Sequence, residues 1–117
     1  MARPEFEIDL PYQRKYMLQT KYQLTEEQFK GLYDEQNGRC AICRAWFNHP
    51  TNAHIDHDHE TNKVRGLLCG KCNSGLGMFR DNICFLAGAI VYLESNGKTY
   101  RSISNRSREW AIEFMRC

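Results

Sequence analysis

Apolar residues fall along this chain in short bursts whose period changes from helical to alternating and back. Met1 to Leu10 shows no period and is broken by Pro4, with Pro11 just beyond, so it reads as an irregular arm. From Tyr12 to about Tyr22, the residues Tyr12, Tyr16, Leu18 and Tyr22 recur at helical spacing between Arg14, Lys15 and Lys21, which predicts a first helix. Thr25-Glu26-Glu27-Gln28 has the form of a capping box, in which the threonine hydroxyl and the glutamine amide each satisfy an exposed backbone amide. A second helix is expected from Glu26 to about Gln36, with Phe29, Leu32 and Tyr33 as a core-facing stripe and Asn37-Gly38 as its stop.

The pattern then loses its helical period. Arg44 to Ala53, with Trp46, Phe47 and Pro50, reads as an aromatic loop. His54 to Glu60 alternates in part, Thr61-Asn62 has turn character, and Lys63 to Leu68 reads as a return strand, so a short β-hairpin is expected. Helical character resumes from Cys72 through Asn73 to Phe79, although Gly75 and Gly77 each cost about 1 kcal/mol of helix propensity. Asp81-Asn82 offers an N-cap for a longer apolar helix over Ile83 to about Ser95, striped by Leu86, Ile90 and Leu93 and closed by Asn96-Gly97. A last short helix is expected from Ser107 to Met115, anchored by Trp110, Ile112 and Phe114.

Cysteine spacing changes the reading of the middle segment. Cys40 and Cys43 form one C-x-x-C pair, and Cys69 and Cys72 form another about 25 residues later. Two such pairs hold a tetrahedral Zn²⁺, and four sulfurs leave no position for water or substrate, so this zinc is expected to be structural. The aromatic loop would then cover it. A metal staple suits a chain of 117 residues, whose core alone is modest. MARPEFEIDL lacks a signal-peptide apolar core, so a reducing cytoplasm is expected, with Cys84 and Cys117 as free thiols. The apolar run from Ile83 to Leu93 is too short to span a bilayer, and no membrane partner is expected. Net charge is only +2, but five of the sixteen Lys/Arg lie from residue 97 onward against two of the fourteen Asp/Glu. That basic tail is a weak footprint for nucleic acid.

Candidate chemistry lies in what the cysteines hold together. His54-Ile55-Asp56-His57-Asp58-His59 sits on the hairpin, and Asn73 follows the second knuckle at once. Phosphodiester hydrolysis needs a base to take a proton from water and a cation to hold the phosphate. Neighbouring strand residues point to opposite sides, so Asp56 can hold Mg²⁺ while His57 acts as the base. The carbonyl oxygen of Asn73 completes a hard oxygen site with Asp56.

The series CAIC, HIDHDHETNKVRGLLCGKCN and GLGMF closely resembles the phage recombination endonuclease VII family of zinc-bearing HNH (His-Me finger) nucleases, over about residues 12 to 96. The resemblance implies an α+β, mostly helical fold, with a zinc-stabilised ββα-metal core and flanking helices. It implies Mg²⁺- or Mn²⁺-dependent cleavage of branched DNA such as Holliday junctions, and a homodimer. By position, it makes Cys40, Cys43, Cys69 and Cys72 the zinc ligands, Asp56 and Asn73 the ligands of the catalytic metal, and His57 the general base. It also makes His54 and His59 candidate phosphate or active-site partners. Arg65, Lys71 and Arg80 are further candidate DNA contacts. The expected organisation is an N-terminal arm with helices over 1–39, a nuclease core over 40–80 and a helical region with a basic tail over 81–117, together one compact domain. If the chain is phage-encoded, its place is the cytoplasm of the bacterial host. Two rival readings stand beside this one: an HNH nicking or double-strand endonuclease without branch preference, and a zinc ribbon that binds nucleic acid without cutting it.

Overall fold

The computed structural model describes residues 10–97. The helix expected over Ser107 to Met115, the basic tail and nearly all of the N-terminal arm lie outside them. The described order is helix α1 (Tyr12–Lys21), helix α2 (Glu26–Glu35), strand β1 (His54–His57), strand β2 (Val64–Leu68), helix α3 (Gly70–Met78) and helix α4 (Ile83–Glu94). Two units divide after Ser74. Together the elements make a mixed fold of helices and one small two-stranded antiparallel sheet.

In the first unit the capping box forms as expected. Thr25 Oγ1 accepts from the Gln28 amide at 3.1 Å, and Gln28 Oε1 accepts from the Thr25 amide at 2.9 Å. Phe29 and Tyr33 are buried, and the Gly38 amide donates to Tyr33 O as the chain turns at positive φ through Asn37 and Gly38. The buried face of α1 differs from the expected one. Tyr12 and Tyr16 are exposed, and Leu18 is the helix's buried residue. The reason lies one turn earlier: Arg14 sits over the Phe29 ring at 5.8 Å and donates from Nη2 to the Ala53 carbonyl, which turns the Arg14–Leu18 face inward. Phe47 from the aromatic loop is buried too, its ring centroid 5.9 Å from that of Tyr33.

The hairpin strands pair His54 with Leu68, Ile55 with Leu67 and Asp56 with Gly66. The register then slips, so that His57 stands opposite Val64 and Arg65 becomes the extra residue of a bulge. β1 stops at His57, three residues short of the expected end, because Asp58 takes over the chain. Its amide makes a last bond across the hairpin to Lys63 O at 2.8 Å, and its Oδ1 accepts from the amides of Glu60 (2.8 Å) and Thr61 (3.1 Å), an Asx turn that closes the hairpin.

A side chain from α2's end fastens this sheet. Gln36 Nε2 donates to Leu67 O and Gln36 Oε1 accepts from Leu67 N, both at 2.8 Å, so one amide does for Leu67 what a third strand would do. Gly66 permits this approach, since a Cβ there would meet Gln36 Oε1 at 3.1 Å.

α3 begins at Gly70, two residues earlier than expected, so Cys72 lies inside its first turn. In the second unit, Asn82 caps α4 as expected, its Oδ1 accepting from the Phe85 amide at 3.1 Å. The buried stripe is Ala87 and Val91 in place of the one read from Leu86, Ile90 and Leu93; Leu93 is 75% exposed. In a helix apolar on nearly every side, periodicity cannot choose the inward face. Cys84 is disulfide-bonded, where a free thiol was expected. No single helix among the described residues is long and apolar enough to cross a membrane.

Candidate active site and metal centre

The thiol cluster is built by two tight turns. After Cys40, the Arg44 amide donates back to Cys40 O at 3.1 Å, with Arg44 at positive φ, and the Cys40 amide donates to Ala45 O at 2.9 Å. On the other side, the Asn73 amide donates to Cys69 O at 3.0 Å and the Cys72 amide reaches Cys69 Sγ at 3.5 Å. All four sulfurs lie within 4.8 Å of one another. Thiolates about 2.3 Å from a tetrahedral zinc ion stand about 3.8 Å apart, and Cys43 Sγ and Cys69 Sγ are 3.8 Å apart. The four thiols do not ionise alike. Burial opposes a thiolate at Cys40, yet the amides of Cys69, Cys43 and Ile42 outweigh it and bring that thiol down to about 6. Burial and then the neighbouring sulfurs push Cys72 up to about 12. Four thiolates at this spacing therefore need a divalent ion to share. The donor set and spacing suit structural zinc.

The hairpin carries the second group of residues. Asp56 is mostly buried, and Arg65 grips both of its oxygens, from Nε at 2.7 Å and from Nη2 at 2.9 Å. The His57 ring stands edge-on to Tyr22 at 5.6 Å and 4.9 Å from the His59 ring, so His57 and His59 are brought together. Asn73 is half-buried in the first turn of α3. His54 is exposed and turns away toward the thiols, where a Cβ on Gly70 would stand 3.4 Å from its Nε2. His54 and Lys71 border a groove of about 670 Å³ that also reaches Cys43, Trp46, Cys69 and Cys72. The aromatic loop thus lies beside the cysteines, and Arg39 stacks on Trp46 at 3.7 Å. Arg80 is exposed, at positive φ beyond the end of α3.

Three residues at this site carried no functional reading in the sequence. Gln36 and Tyr22 act across long stretches of chain and left no local signal. Asp58 did leave one, since an aspartate opening a polar stretch is a common turn starter. Backbone bonds from Thr61 and Glu60 hold its carboxyl below the usual range.

A thiol cluster of this geometry defines a metal-binding protein. The sequence profile of recombination endonuclease VII matches residues 15–95, and the chain belongs to that family. It is similar to the gene 59 proteins of the Mycobacterium phages D29 and L5, at 45% and 44% identity over 73 residues. Those residues are 62% of this chain and 44% of each relative, so the match spans less than half the length of these curated relatives.

Proposed function

We propose that this chain is a metal-dependent DNA endonuclease of the HNH (His-Me finger) type that hydrolyses phosphodiester bonds at branched DNA such as Holliday junctions. The family match carries the reading, because residues 15–95 enclose the whole hairpin, both cysteine pairs and Asn73. The order β1, β2, α3, with the thiol cluster at the junction of strand and helix, supports a ββα-metal core within residues 40–80. On this reading residues 1–39 and 81–117 flank the core, and the enzyme works in the cytoplasm of a phage-infected bacterium.

Asp56 and Asn73 are the residues that would hold Mg²⁺ or Mn²⁺, and their hard oxygens fit such an ion. Asp56 is already a cation site, since a guanidinium sits on both its oxygens. When bound, the metal would polarise the phosphate and neutralise the departing 3′ oxygen. His57 takes the proton of the attacking water at an imidazole nitrogen, and its ring packs against Tyr22 at 5.6 Å. The products are a 5′-phosphate and a 3′-hydroxyl. His59, beside His57, and the exposed Arg80 and Lys71 are offered to the DNA backbone.

Cleavage of four-way junctions, linear duplex and single strands by the zinc-loaded chain, with and without Mg²⁺, tests the proposal. Mg²⁺-dependent cutting with a preference for the junction is expected. Equal cutting of junction and duplex would mean a nuclease without branch preference. Binding without cutting would mean a zinc ribbon that only holds nucleic acid.

A further inference from the structure

We infer that Arg65 is a built-in competitor for the divalent cation at Asp56, a positioning residue that holds the carboxylate until the ion displaces it. This rests on the endonuclease reading above. Regular pairing would set Arg65 opposite His57. The bulge between Asp56 and His57 removes it from that pairing, and its guanidinium closes on Asp56 in a two-pronged grip. A fork of this kind uses the edge shared by both carboxylate oxygens and places a full positive charge there. A cation that takes an Asp56 oxygen on that shared edge must break at least one of these hydrogen bonds, and one on an outer lone pair must tolerate the guanidinium charge or drive it off.

The environment suits displacement. Asp56 is 13% exposed in its side chain, and Arg65 is 39% exposed, so the carboxylate is held in place while the arginine can withdraw into water. A charge pair with one partner in solvent orders the site without locking it. Arg65 keeps Asp56 neutralised and oriented, and it raises the cation concentration at which the site fills. A residue that merely shaped the hairpin would do the opposite, because its loss would disorder Asp56 and weaken metal binding.

Mn²⁺ binding to the zinc-loaded chain without DNA, read from the electron paramagnetic resonance of free Mn²⁺, separates these roles. Arg65→Gln should bind Mn²⁺ about three- to tenfold more tightly than wild type, the range of a partly exposed charge-assisted pair. Arg65→Lys, which keeps the charge and loses the fork, should fall between the two and also guards against a folding defect in the neutral variant. Lys63→Gln removes a charge from the turn beyond β1 and should bind like wild type. Unchanged or weaker binding by Arg65→Gln, at wild-type zinc content and circular dichroism, would overturn the inference. Equal tightening by Lys63→Gln would overturn it too, since bulk charge would then be the cause. Asp56→Ala should lose the site; Mn²⁺ binding like wild type in that variant would show that the cation is not on Asp56, and the metal-site assignment itself would fall.

Discussion

The imidazole of His57 touches two rings from different parts of the chain, Tyr22 at the end of α1 and His59 in the turn after β1. If it is the base, His57→Ala should cut cleavage by about 10² to 10⁴ while zinc content and DNA affinity stay near wild type, because phosphate contacts by Lys and Arg supply most binding. Single-turnover cleavage at matched zinc content is the measurement. Equal rates would remove His57 from the mechanism. Gln36 gives a second prediction, on stability. Its amide satisfies both the N–H and the C=O of Leu67 at 2.8 Å, and truncation strands the partly buried N–H. Gln36→Ala should cost about 1 to 3 kcal/mol in urea unfolding of the zinc-loaded protein, the penalty of leaving a buried backbone N–H unpaired, while Leu67 O keeps the Ala41 amide. A loss too small to measure would mean that water replaces the amide.

At the scale of elements, the hairpin depends on its turn as much as on its strands. Asp58 ends β1 and gathers the Glu60 and Thr61 amides, and those bonds lower its carboxyl from the ordinary value. A carboxyl lowered in the folded state contributes stability that is fully present above its unfolded value, and that is lost as pH falls through the folded value. Wild type should therefore be more stable than Asp58→Ala at neutral pH, and the gap should narrow once the pH drops below about 4, the ordinary carboxylate value. Urea unfolding of both proteins at the two pH values checks the sign. A gap that widens in acid would show that the carboxylate is not the stabilising form.

For the molecule as a whole, the thiol cluster joins the turn after α2 to the junction of β2 and α3. Structural zinc in small fingers binds with about 10 to 16 kcal/mol, as much as the entire stability of an ordinary domain. One Zn²⁺ per chain is expected by elemental analysis, and stripping it with a chelator should abolish the circular dichroism of the hairpin and α3. Less than half an equivalent in a folded, active preparation would sink the assignment. Association is the other question at this scale. In the second unit Met78, Ile83, Phe85, Tyr92 and Leu93 are all exposed, more apolar surface than a lone helix usually leaves to water. The homodimer proposed from the family resemblance would cover part of this apolar surface, and two-fold symmetry would match paired cuts in a junction. Light scattering at micromolar concentration should return twice the chain mass; a monomer with and without DNA would refute it.

The sequence by itself determined the features whose partners lie within a few residues of each other. The Thr25 capping box, the Asn82 cap, the stop at Asn37-Gly38 and the two C-x-x-C knuckles are such cases, because hydrogen bonds and ligand spacings of this kind close over one turn of chain. The approximate hairpin was legible for a similar reason, as its strands are joined by a short turn. Tertiary structure decided the rest. The inward faces of α1 and α4 were chosen by packing: Arg14 reaches Ala53 and Phe29, and Ala87 and Val91 are buried where several apolar stripes were equally available. The bulge that puts Arg65 on Asp56, the Gln36 bond to Leu67 and the Tyr22 contact to His57 carry no periodic or local signal. Each joins side chains whose separation is set by how strands and helices settle against one another, and a one-residue slip in a strand is invisible to a pattern of residue types.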